Sequence, residues 1–550
     1  MLHYFHAVRH LKPIQIYGYI RNKIVARTFS SDYWTKRARA LRLGECTWNP
    51  IGEFLPSGPQ HNFRDEILDG NLTFLNIEKR LGFPFDWTPA GVPLLWEYNL
   101  HYFEYIFALE YDEARHLVTD WIKRYPLRRH RCGWEAYTSS LRIMCWCAYF
   151  FHRHRSRIVA GSEFESLLKQ GLALHAAWIR YRLEYHLLVN HYFENIAALV
   201  VIGSCFDGPD AGQWFDFGMR LLKKELSEQI LSDGIHIERS PMYHSRVLYV
   251  LRFLLNMGNN EVVKLVQPYC EKAALALMNL CHPDGDIALF NDAAFGIYNA
   301  PEQLCETGNN DVTETFSLPD AGYFGAKTSN GHYLLCDAGP IGPDYFPSHA
   351  HGDIFSFELS LFGKRMIVDS GVYDYVDSPE RRYTRSTAAH NTVEINGTDQ
   401  CEFFSTFRVG RRGRPHDVKF EETETGFRLS GWHDGYRRLP SRAIHHRSFE
   451  WSHCGSLLIV DRVEAIKDVD VVTRFHLHPE CRIVRHDERC IVFERETHRC
   501  RLEYEGGTLN IASYDYSPEF HQKHPAIVLE LSATGMMRSL RTNIAPEEAI

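Results

Sequence analysis

The apolar pattern of the chain changes character near residue 315. From about residue 60 to 310, apolar residues recur at i, i+3, i+4 and i+7, as in Leu167–Ile179 and Val247–Met257, which indicates amphipathic helices. Beyond that point come short segments rich in β-branched and aromatic residues, such as Arg365–Asp369 and Leu457–Asp461, separated by turn residues. An all-α half followed by an all-β half is therefore predicted.

Each half has an expected architecture. Helices of similar length joined by short loops predict helical hairpins curved into an (α/α) toroid, although no strict sequence repeat marks the hairpins. The regular spacing of the later segments predicts an antiparallel β-sandwich. With 550 residues the chain is too long for one ordinary core. We predict an N-terminal extension over 1–60, the toroid over 61–315 and the sandwich over 316–550.

Bulk charge and cysteine usage limit the class of protein. A formal net charge of -8 argues against a general nucleic-acid binder, although a local basic cleft for a polyanion remains compatible with it. The 14 cysteines form no CxxC pair, which favours reduced thiols.

The first residues predict no targeting segment. They lack the apolar core and cleavage site of a signal peptide, and no stretch of eighteen apolar residues predicts a membrane span. We expect a cytoplasmic protein by default, or a periplasmic or secreted one if a leader was removed; the oligomeric state is open. The amphipathic segment Leu11–Lys23 is expected to pack on the toroid rather than to contact a membrane.

A first polar motif, Val189–Asn195, opens an apolar helix. Asn190 suits a helix N-cap. Its amide could instead donate to a substrate carboxylate, with His191 beside it.

A second motif, Asp233–His244, is unusually dense in ionisable residues. Tyr243 could give or take a proton if nearby cations such as Arg239 lowered its pKa from about 10. The alternative is a helix that starts at Ser240-Pro241, with Tyr243 at an interface.

A third motif, Phe346–Asp353, contains two histidines two residues apart. On a strand, His349 and His351 would point to the same face. With Asp369 and His390 downstream on neighbouring strands, His351 forms a nitrogen, nitrogen and oxygen donor set suited to Zn²⁺, with water in the fourth position.

Together these motifs resemble those of the heparinase II/III-like polysaccharide lyases. The resemblance covers roughly residues 90 to 480 and extends to the flanking sequences. The stretches of this chain that carry the resemblance are, in chain order, Trp96–Phe103, Gly133–Arg142, Asn190–Asn195, Glu238–His244, His349–Asp353, Val368–Tyr373 and Arg385–Val393.

The resemblance implies a toroid joined to a sandwich and cleavage of uronate-containing chains by β-elimination. Such chemistry needs a group that neutralises the uronate carboxylate, a base for the C5 proton and an acid for the leaving O4. Carried over by motif position, Asn190 with His191 would neutralise the carboxylate and Tyr243 would protonate O4. Tyr243 would also act as the base for a glucuronate-type epimer, and His349 for an iduronate-type epimer.

The resemblance also implies a structural Zn²⁺ on His351, Asp369 and His390, and no organic cofactor. The remaining predicted site residues are substrate contacts: Trp96, Tyr98, Arg239 and Arg385.

Two other functions remain open. A hydrolase of acidic polysaccharide would use His351, Asp369 and His390 to hold a metal that activates water. A non-catalytic protein would bind or assemble polysaccharide without cleaving it. The preferred uronate polymer, its sulfation and endo or exo action are not predicted.

Overall fold

A computed structural model describes residues 2–128, 132–305 and 313–547. Its contacts divide the chain into two compact units. The helical unit contains Leu11–Ile230 and Arg246–Glu271, and the sheet unit contains Met1–His10, Leu231–Ser245 and Lys272–Ile550. The sheet unit thus also includes the described residues 231–245 and 272–305, which precede the strands in the chain. The boundaries after residues 60 and 315 stay predictions.

Helices dominate the chain up to residue 304, as predicted, with one short hairpin, β1 (Asn71–Phe74) and β2 (Ile77–Arg80), among them. The helices, in chain order, are α1 (Leu2–Val8), α2 (Pro13–Thr28), α3 (Ser31–Ala40), α4 (Arg64–Leu68), α5 (Leu94–Tyr102), α6 (Tyr111–Arg124), α7 (Ala136–Trp146), α8 (Glu163–Arg182), α9 (Val189–Cys205), α10 (Pro209–Gln229), α11 (Pro241–Asn256), α12 (Asn260–Asn279), α13 (Pro301–Leu304) and α14 (Pro379–Arg385).

Helix α9 is buried along most of its length because glycines bring α10 against it. A Cβ on Gly203 would lie 2.6 Å from the backbone nitrogen of Phe215, and one on Gly218 would lie 2.7 Å from Cγ2 of Val200. Any larger residue would push the two helices apart. The first turn of α9, which carries Asn190, is held separately: the side chain of Gln229 at the end of α10 donates to the Val189 carbonyl at 3.1 Å.

The strands from residue 314 onward form the β-rich half. In chain order they are β3 (Glu314–Leu318), β4 (Tyr323–Lys327), β5 (Tyr333–Asp337), β6 (Phe357–Leu361), β7 (Lys364–Ile367), β8 (Val393–Ile395), β9 (Phe403–Phe404), β10 (Arg408–Val409), β11 (Pro415–Thr423), β12 (Gly426–His433), β13 (Ile444–Ser452), β14 (Ser456–His476), β15 (Arg482–Asp487), β16 (Cys490–Arg495), β17 (His498–Glu505), β18 (Thr508–Tyr516) and β19 (His524–Glu547).

Two antiparallel sheets build the sandwich. The large sheet has ten strands in the order β11-β12-β13-β14-β19-β17-β16-β15, with β18 paired to β19 and β8 to β14. The small sheet has five, in the order β3-β4-β5-β6-β7. One buried apolar cluster takes residues from both sheets, including Phe357 and Leu359 of the small sheet and Phe449 and Phe475 of the large one. The predicted fold class, a helical half followed by an antiparallel β half, is confirmed.

A buried ion pair ties the large sheet to the loops of the site. The Arg447 guanidinium on β13 donates to both carboxylate oxygens of Asp461 on β14, at 2.6 and 2.9 Å. It also donates to the carbonyl oxygens of Phe355 and Asn391, at 2.8 and 2.6 Å, which fixes the loop before β6 and the segment after His390. Burial alone would raise the pKa of Asp461, but Arg447 and a hydrogen bond from His445 hold it below its usual range.

Replacing Asp461 by Asn should destabilise the protein in a pH-dependent way. At pH 7 we expect a loss of about 3–5 kcal/mol in the free energy of unfolding, because Arg447 stays buried without a counter-charge. Since the folded pKa of Asp461 lies below the unfolded value, its contribution is present above about pH 4 and is lost as the pH falls. The deficit of the variant should therefore shrink by about 1 kcal/mol between pH 7 and pH 3.

Urea unfolding of both proteins across that pH range measures the deficit. Asp468→Asn, at an exposed position of the same strand, is the control and should change stability little. A deficit that stays constant with pH would contradict the assigned ion pair.

Candidate active site

The segment with the two histidines is a loop between β5 and β6, not a strand. Its backbone bonds to other loops: the amide of His351 donates to the Asn291 side chain at 3.1 Å, and the amide of Gly352 to the Arg385 carbonyl at 3.0 Å. The prediction that His349 and His351 share one face of a strand is therefore wrong. The two histidines are instead brought together by hydrogen bonds to one carboxylate.

The carboxylate that links the two histidines belongs to Asp292. Nδ1 of His349 donates to one of its oxygens at 2.8 Å, and Nε2 of His351 donates to the other at 2.8 Å. The Arg381 guanidinium reaches both oxygens, the second at 2.8 Å. All four side chains are buried or nearly so.

Electrostatics keep Asp292 ionised. Burial alone would raise its pKa, but the Arg381 charge and the two histidine hydrogen bonds hold it well below its usual range. The carboxylate thus accepts at both oxygens, and Nδ1 of His349 carries a proton. The Nε2 side of the ring is left to act as a base, with the Glu238 carboxylate 3.6 Å away.

Tyr243 lies against this network at the start of α11. Its ring stacks on His349 with the centroids 3.9 Å apart, and its hydroxyl lies 3.3 Å from that of Tyr375. The helix begins as the Ser-Pro motif predicts, with the Ser240 hydroxyl accepting from the Tyr243 amide at 3.3 Å. The same hydroxyl donates to the Asp292 carbonyl at 2.5 Å, which fixes the helix start relative to the histidine network.

The pKa of Tyr243 is raised well above its usual value, chiefly by burial and then by Tyr375, Tyr298 and Asp292. The expectation that cations such as Arg239 lower it is wrong. Arg239 donates instead to the backbone carbonyls of Ile237, Asp320 and Ala321. A neutral phenol suits a proton donor.

The predicted metal ligands lie on neighbouring loops of the sheet unit. The His351 and His390 rings are 5.3 Å apart, and Nδ1 of His390 donates to Asp369 at 2.6 Å. His351 bonds to Asp292 through Nε2, and burial lowers its pKa to about 3, so Nδ1 keeps its lone pair. Neither Nδ1 of His351 nor Nε2 of His390 has a hydrogen-bond partner among the described residues.

Two buried imidazole nitrogens without partners are a donor type that metal ions use. Within the described residues, however, the donor atoms of His351, Asp369 and His390 do not converge into a group of three. The Asp369 carboxylate accepts from His390 and from the amide of Gly371, so in this geometry it orients His390. The prediction that the metal ligands lie on adjacent strands is wrong. Asp369 lies after the end of β7, and His390 lies before the start of β8.

Asn190 and His191 belong to the helical unit. Asn190 is not the N-cap of α9; the helix begins at Val189, after Leu188. The Asn190 side chain is 1% exposed, and neither atom of its amide has a partner within the described ranges. A buried amide without partners costs free energy, and a ligand or an ordered water would satisfy it.

Backbone strain accompanies this first turn. Leu188 and the β-branched Val189 both have positive φ, at 64° and 43°. Such conformations cost about 1–3 kcal/mol each and cluster at functional sites. In the sheet unit, Arg239 before Ser240 and Asn291 before Asp292 also have positive φ, at 57° each.

Around His191 the helical unit has a half-buried polar and aromatic surface. Nδ1 of His191 lies 3.4 Å from the Glu184 carboxylate, and its ring lies 4.4 Å from that of Tyr137. The Tyr98 hydroxyl donates to Glu135 at 2.6 Å. The roles assigned to His191 and Tyr98 stay predictions.

Three predicted substrate contacts are corrected by burial. Trp96 is completely buried, and its indole nitrogen donates to the Ile77 carbonyl. Arg385 donates to the carbonyls of Ala350, Ser405 and Thr406, and Arg239 is bonded to backbone as described above. Trp96 therefore packs inside the helical unit, whereas Arg239 and Arg385 bond to backbone carbonyls of the sheet unit. Nη2 of Arg385 has no hydrogen-bond partner among the described residues.

Sequence reasoning missed Asp292, Arg381 as its partner, Tyr375 and Glu238. Asp292 is 57 residues from His349 along the chain and stands in no recognisable motif. Arg381 lies in a short stretch of basic residues that carries no motif, and Tyr375 is one of 28 tyrosines. Glu238 lay within the second motif but had no assigned role. Contacts across such separations come from the fold.

Family models match most of the chain. Residues 111–307 match the heparinase II/III N-terminus, and residues 310–545 match the heparinase II/III-like C-terminal domain. Between them the two matches leave out little beyond the first 110 residues. The chain belongs to the heparinase II/III-like family.

Curated relatives include a heparin-sulfate lyase from Bacteroides stercoris, 26% identical over 247 residues, and one from Pedobacter heparinus, 24% identical over 221 residues. These alignments cover 39% and 34% of this chain, and only 37% and 33% of the two relatives. The chain thus spans about a third of the length of the curated relatives it matches.

Solved structures share the fold over nearly the whole chain. A heparinase III structure superposes with a TM-score of 0.68 at 16% identity, covering 99% of this chain and 94% of that one. A heparan sulfate lyase from Pedobacter heparinus gives a TM-score of 0.60 at 17% identity, covering 94% and 88%. Together with the confirmed fold class, this agreement shows a heparinase III-like toroid and sandwich.

Replacing Asp292 by Asn should lower the free energy of unfolding by about 3–5 kcal/mol, because Arg381 would remain buried without its counter-charge. The double variant Asp292→Asn/Arg381→Met removes the charge as well and should recover most of that loss. Urea unfolding measures both.

The control is Asp377→Asn, which removes an exposed partner of Arg382 and should cost less than about 1 kcal/mol. If the double variant were as unstable as the single one, Arg381 would not depend on Asp292 for its charge balance.

Proposed function

We propose that this protein is a polysaccharide lyase that cleaves glycosaminoglycan-type uronate chains, with heparan sulfate as the leading substrate class, by β-elimination. The proposal rests mainly on one contact: the ring of Tyr243 stacks on that of His349, which is oriented by its hydrogen bond to Asp292. A proton donor and a proton acceptor in contact suit a reaction that removes one proton and supplies another. Family membership and the names of the relatives support the substrate class.

Tyr243 is the proposed acid. Its raised pKa keeps the phenol protonated at neutral pH, so it can give a proton to the departing O4. The raised pKa of Tyr243 also disfavours the alternative in which this residue begins as a phenolate base for glucuronate-type residues. After the elimination, the Tyr243 phenolate regains a proton from solvent through the Tyr375 hydroxyl, 3.3 Å away, and the His349 imidazolium releases the C5 proton to solvent.

His349 is the proposed base. With its Nδ1–H bonded to Asp292, Nε2 can take the C5 proton. The imidazolium that forms lies between the carboxylates of Asp292 and Glu238, which stabilise its positive charge. A histidine oriented by a carboxylate in this way acts as general base in many enzymes.

Asn190, with His191, is proposed to stabilise the uronate carboxylate as charge develops on it. The unpartnered, buried amide supports this role, since a ligand oxygen would satisfy a donor that the described residues leave unsatisfied. His191, paired with Glu184, is the neighbouring group that can carry positive charge.

A structural Zn²⁺ is proposed on His351 and His390, with Asp369 orienting His390. When bound, the ion would cross-link the loops on either side of β6 and β7 and so hold His349 in place. No step of the elimination passes through it.

Tyr243→Phe should reduce turnover by about 10²–10⁴-fold, because the variant cannot donate a proton to O4. The readout is the ultraviolet absorbance of the new C4–C5 double bond during digestion of heparan sulfate, heparin, hyaluronan, chondroitin sulfate and alginate. Tyr504→Phe, which removes a hydroxyl bonded to the Glu488 carbonyl elsewhere, should keep full activity.

The same panel separates the alternatives. Products without a double bond, with activity lost on chelation, would indicate a metal-dependent hydrolase. Binding without cleavage of any polymer would indicate a non-catalytic protein. Near-normal turnover of Tyr243→Phe would remove Tyr243 from its role.

The purified protein should contain about one Zn²⁺ per chain, and His351→Ala or His390→Ala should weaken its binding at least about 10-fold. Elemental analysis after dialysis measures the content. His498→Ala is the matched control, because the His498 ring stacks on Phe362 and is not one of the proposed ligands. Equal zinc in the variants and the parent would exclude this site.

A further inference from the structure

Helix α2 packs on the helical unit through a side that includes the buried residues Gln15, Gly18 and Val25. A Cβ on Gly18 would lie 2.7 Å from the backbone nitrogen of His186, so the helix is in close backbone contact there. Gln15 donates to the His186 carbonyl at 3.4 Å, and the Asn22 amide lies 3.2 Å from Nδ1 of the same residue. The predicted packing of this segment on the helical part of the chain is thus observed.

The aliphatic side of α2 faces outward. Ile16, Ile20 and Ile24 are four residues apart and therefore lie along one face of the helix. They are 47%, 55% and 57% exposed, and the adjacent Tyr17 is 53% exposed. Most surface helices show the reverse arrangement, with the apolar stripe buried. A contiguous exposed aliphatic stripe on a folded protein marks an interaction surface.

Basic side chains edge this stripe. Lys23 and Arg27 are exposed on the same side of α2. Helix α3 packs through Trp34 and Ala38 and leaves Tyr33, Lys36 and Arg37 exposed.

Both helices rest on the same part of the helical unit: Trp34 contacts Trp178 and Tyr181, and Arg21 lies over Tyr181. Residues 11–40, all within the helical unit, contain seven Lys and Arg against one Asp, although the whole chain carries a net charge of -8. The positive charge is thus concentrated where the aliphatic stripe is exposed.

We propose that α2 and α3 form a docking surface for an anionic lipid bilayer. An exposed aliphatic stripe edged by Lys and Arg is the pattern of helices that lie in the membrane interface. The side chains of Ile16, Ile20 and Ile24 would enter the acyl boundary while Lys23, Arg27, Lys36 and Arg37 meet lipid phosphates.

Two other occupants fit the surface less well. A second copy in a twofold dimer would bring the same basic residues face to face, with no acidic residue exposed on α2 and only Asp32 on α3 to oppose them. An anionic polysaccharide would pair with the charges but leave the isoleucines in water.

This proposal does not depend on the lyase proposal. In its experiment, the full-length protein is sedimented with phosphatidylcholine vesicles, with and without phosphatidylglycerol at about 30 mol%. We expect binding to the anionic vesicles only, weakened when the salt concentration rises. The variant Ile16→Ser/Ile20→Ser/Ile24→Ser should bind at least about 10-fold more weakly, because it has no aliphatic face to insert.

Matched variants control for general changes in hydrophobicity and charge. Ile51→Ser/Val159→Ser/Ile466→Ser changes three exposed aliphatic residues elsewhere and should bind as the parent does. Lys23→Glu/Arg27→Glu should lose binding, whereas Lys264→Glu/Lys467→Glu, at exposed positions elsewhere, should keep it. Circular dichroism and thermal unfolding verify that each variant is folded.

Three outcomes would overturn the proposal. The first is no binding to anionic vesicles. The second is vesicle binding that the isoleucine variant retains, which would make the contact purely electrostatic and shared with soluble polyanions such as heparin. The third is a dimer in solution that the isoleucine variant dissociates, which would assign the surface to a second copy of the chain.

Discussion

One carboxylate organises the candidate active site. Asp292 accepts hydrogen bonds from His349, His351 and Arg381, and its own carbonyl accepts from the Ser240 hydroxyl that starts α11. The proposed base, a proposed metal ligand and the start of the helix that carries the proposed acid are therefore fixed relative to one group. A single buried charge can do this because Arg381 balances it and because every strong acceptor position is used.

The fold class followed from the sequence because it depends on local pattern. Periodicities of 3.6 and 2 residues mark helices and strands whatever their partners are. The motifs identified His349, His351, His390 and Tyr243, which do meet in the structure. The reason offered for the histidine pair was wrong, since His349 and His351 meet through Asp292 on a loop and not through strand alternation.

The residues that escaped prediction share a physical feature. Asp292, Arg381 and Tyr375 act through contacts with partners far along the chain, and no local pattern encodes such contacts. Three other residues were predicted as substrate contacts but are buried. Trp96, Arg239 and Arg385 were chosen because tryptophan and arginine often bind sugars and anions. Their polar groups instead bond to backbone carbonyls. Aromatic and arginine side chains serve loop architecture as readily as recognition.

The sheet unit is assembled from stretches that are distant in the chain, and this has a consequence for biosynthesis. Residues 231–245, which carry Tyr243, leave the ribosome more than 100 residues before His349. Apart from Met1–His10, the rest of the sheet unit has not been synthesised at that moment. The nascent chain must therefore keep this stretch from aggregating until the strands emerge, and a gene fragment cut between residues 245 and 272 would separate the sheet unit from a part of itself.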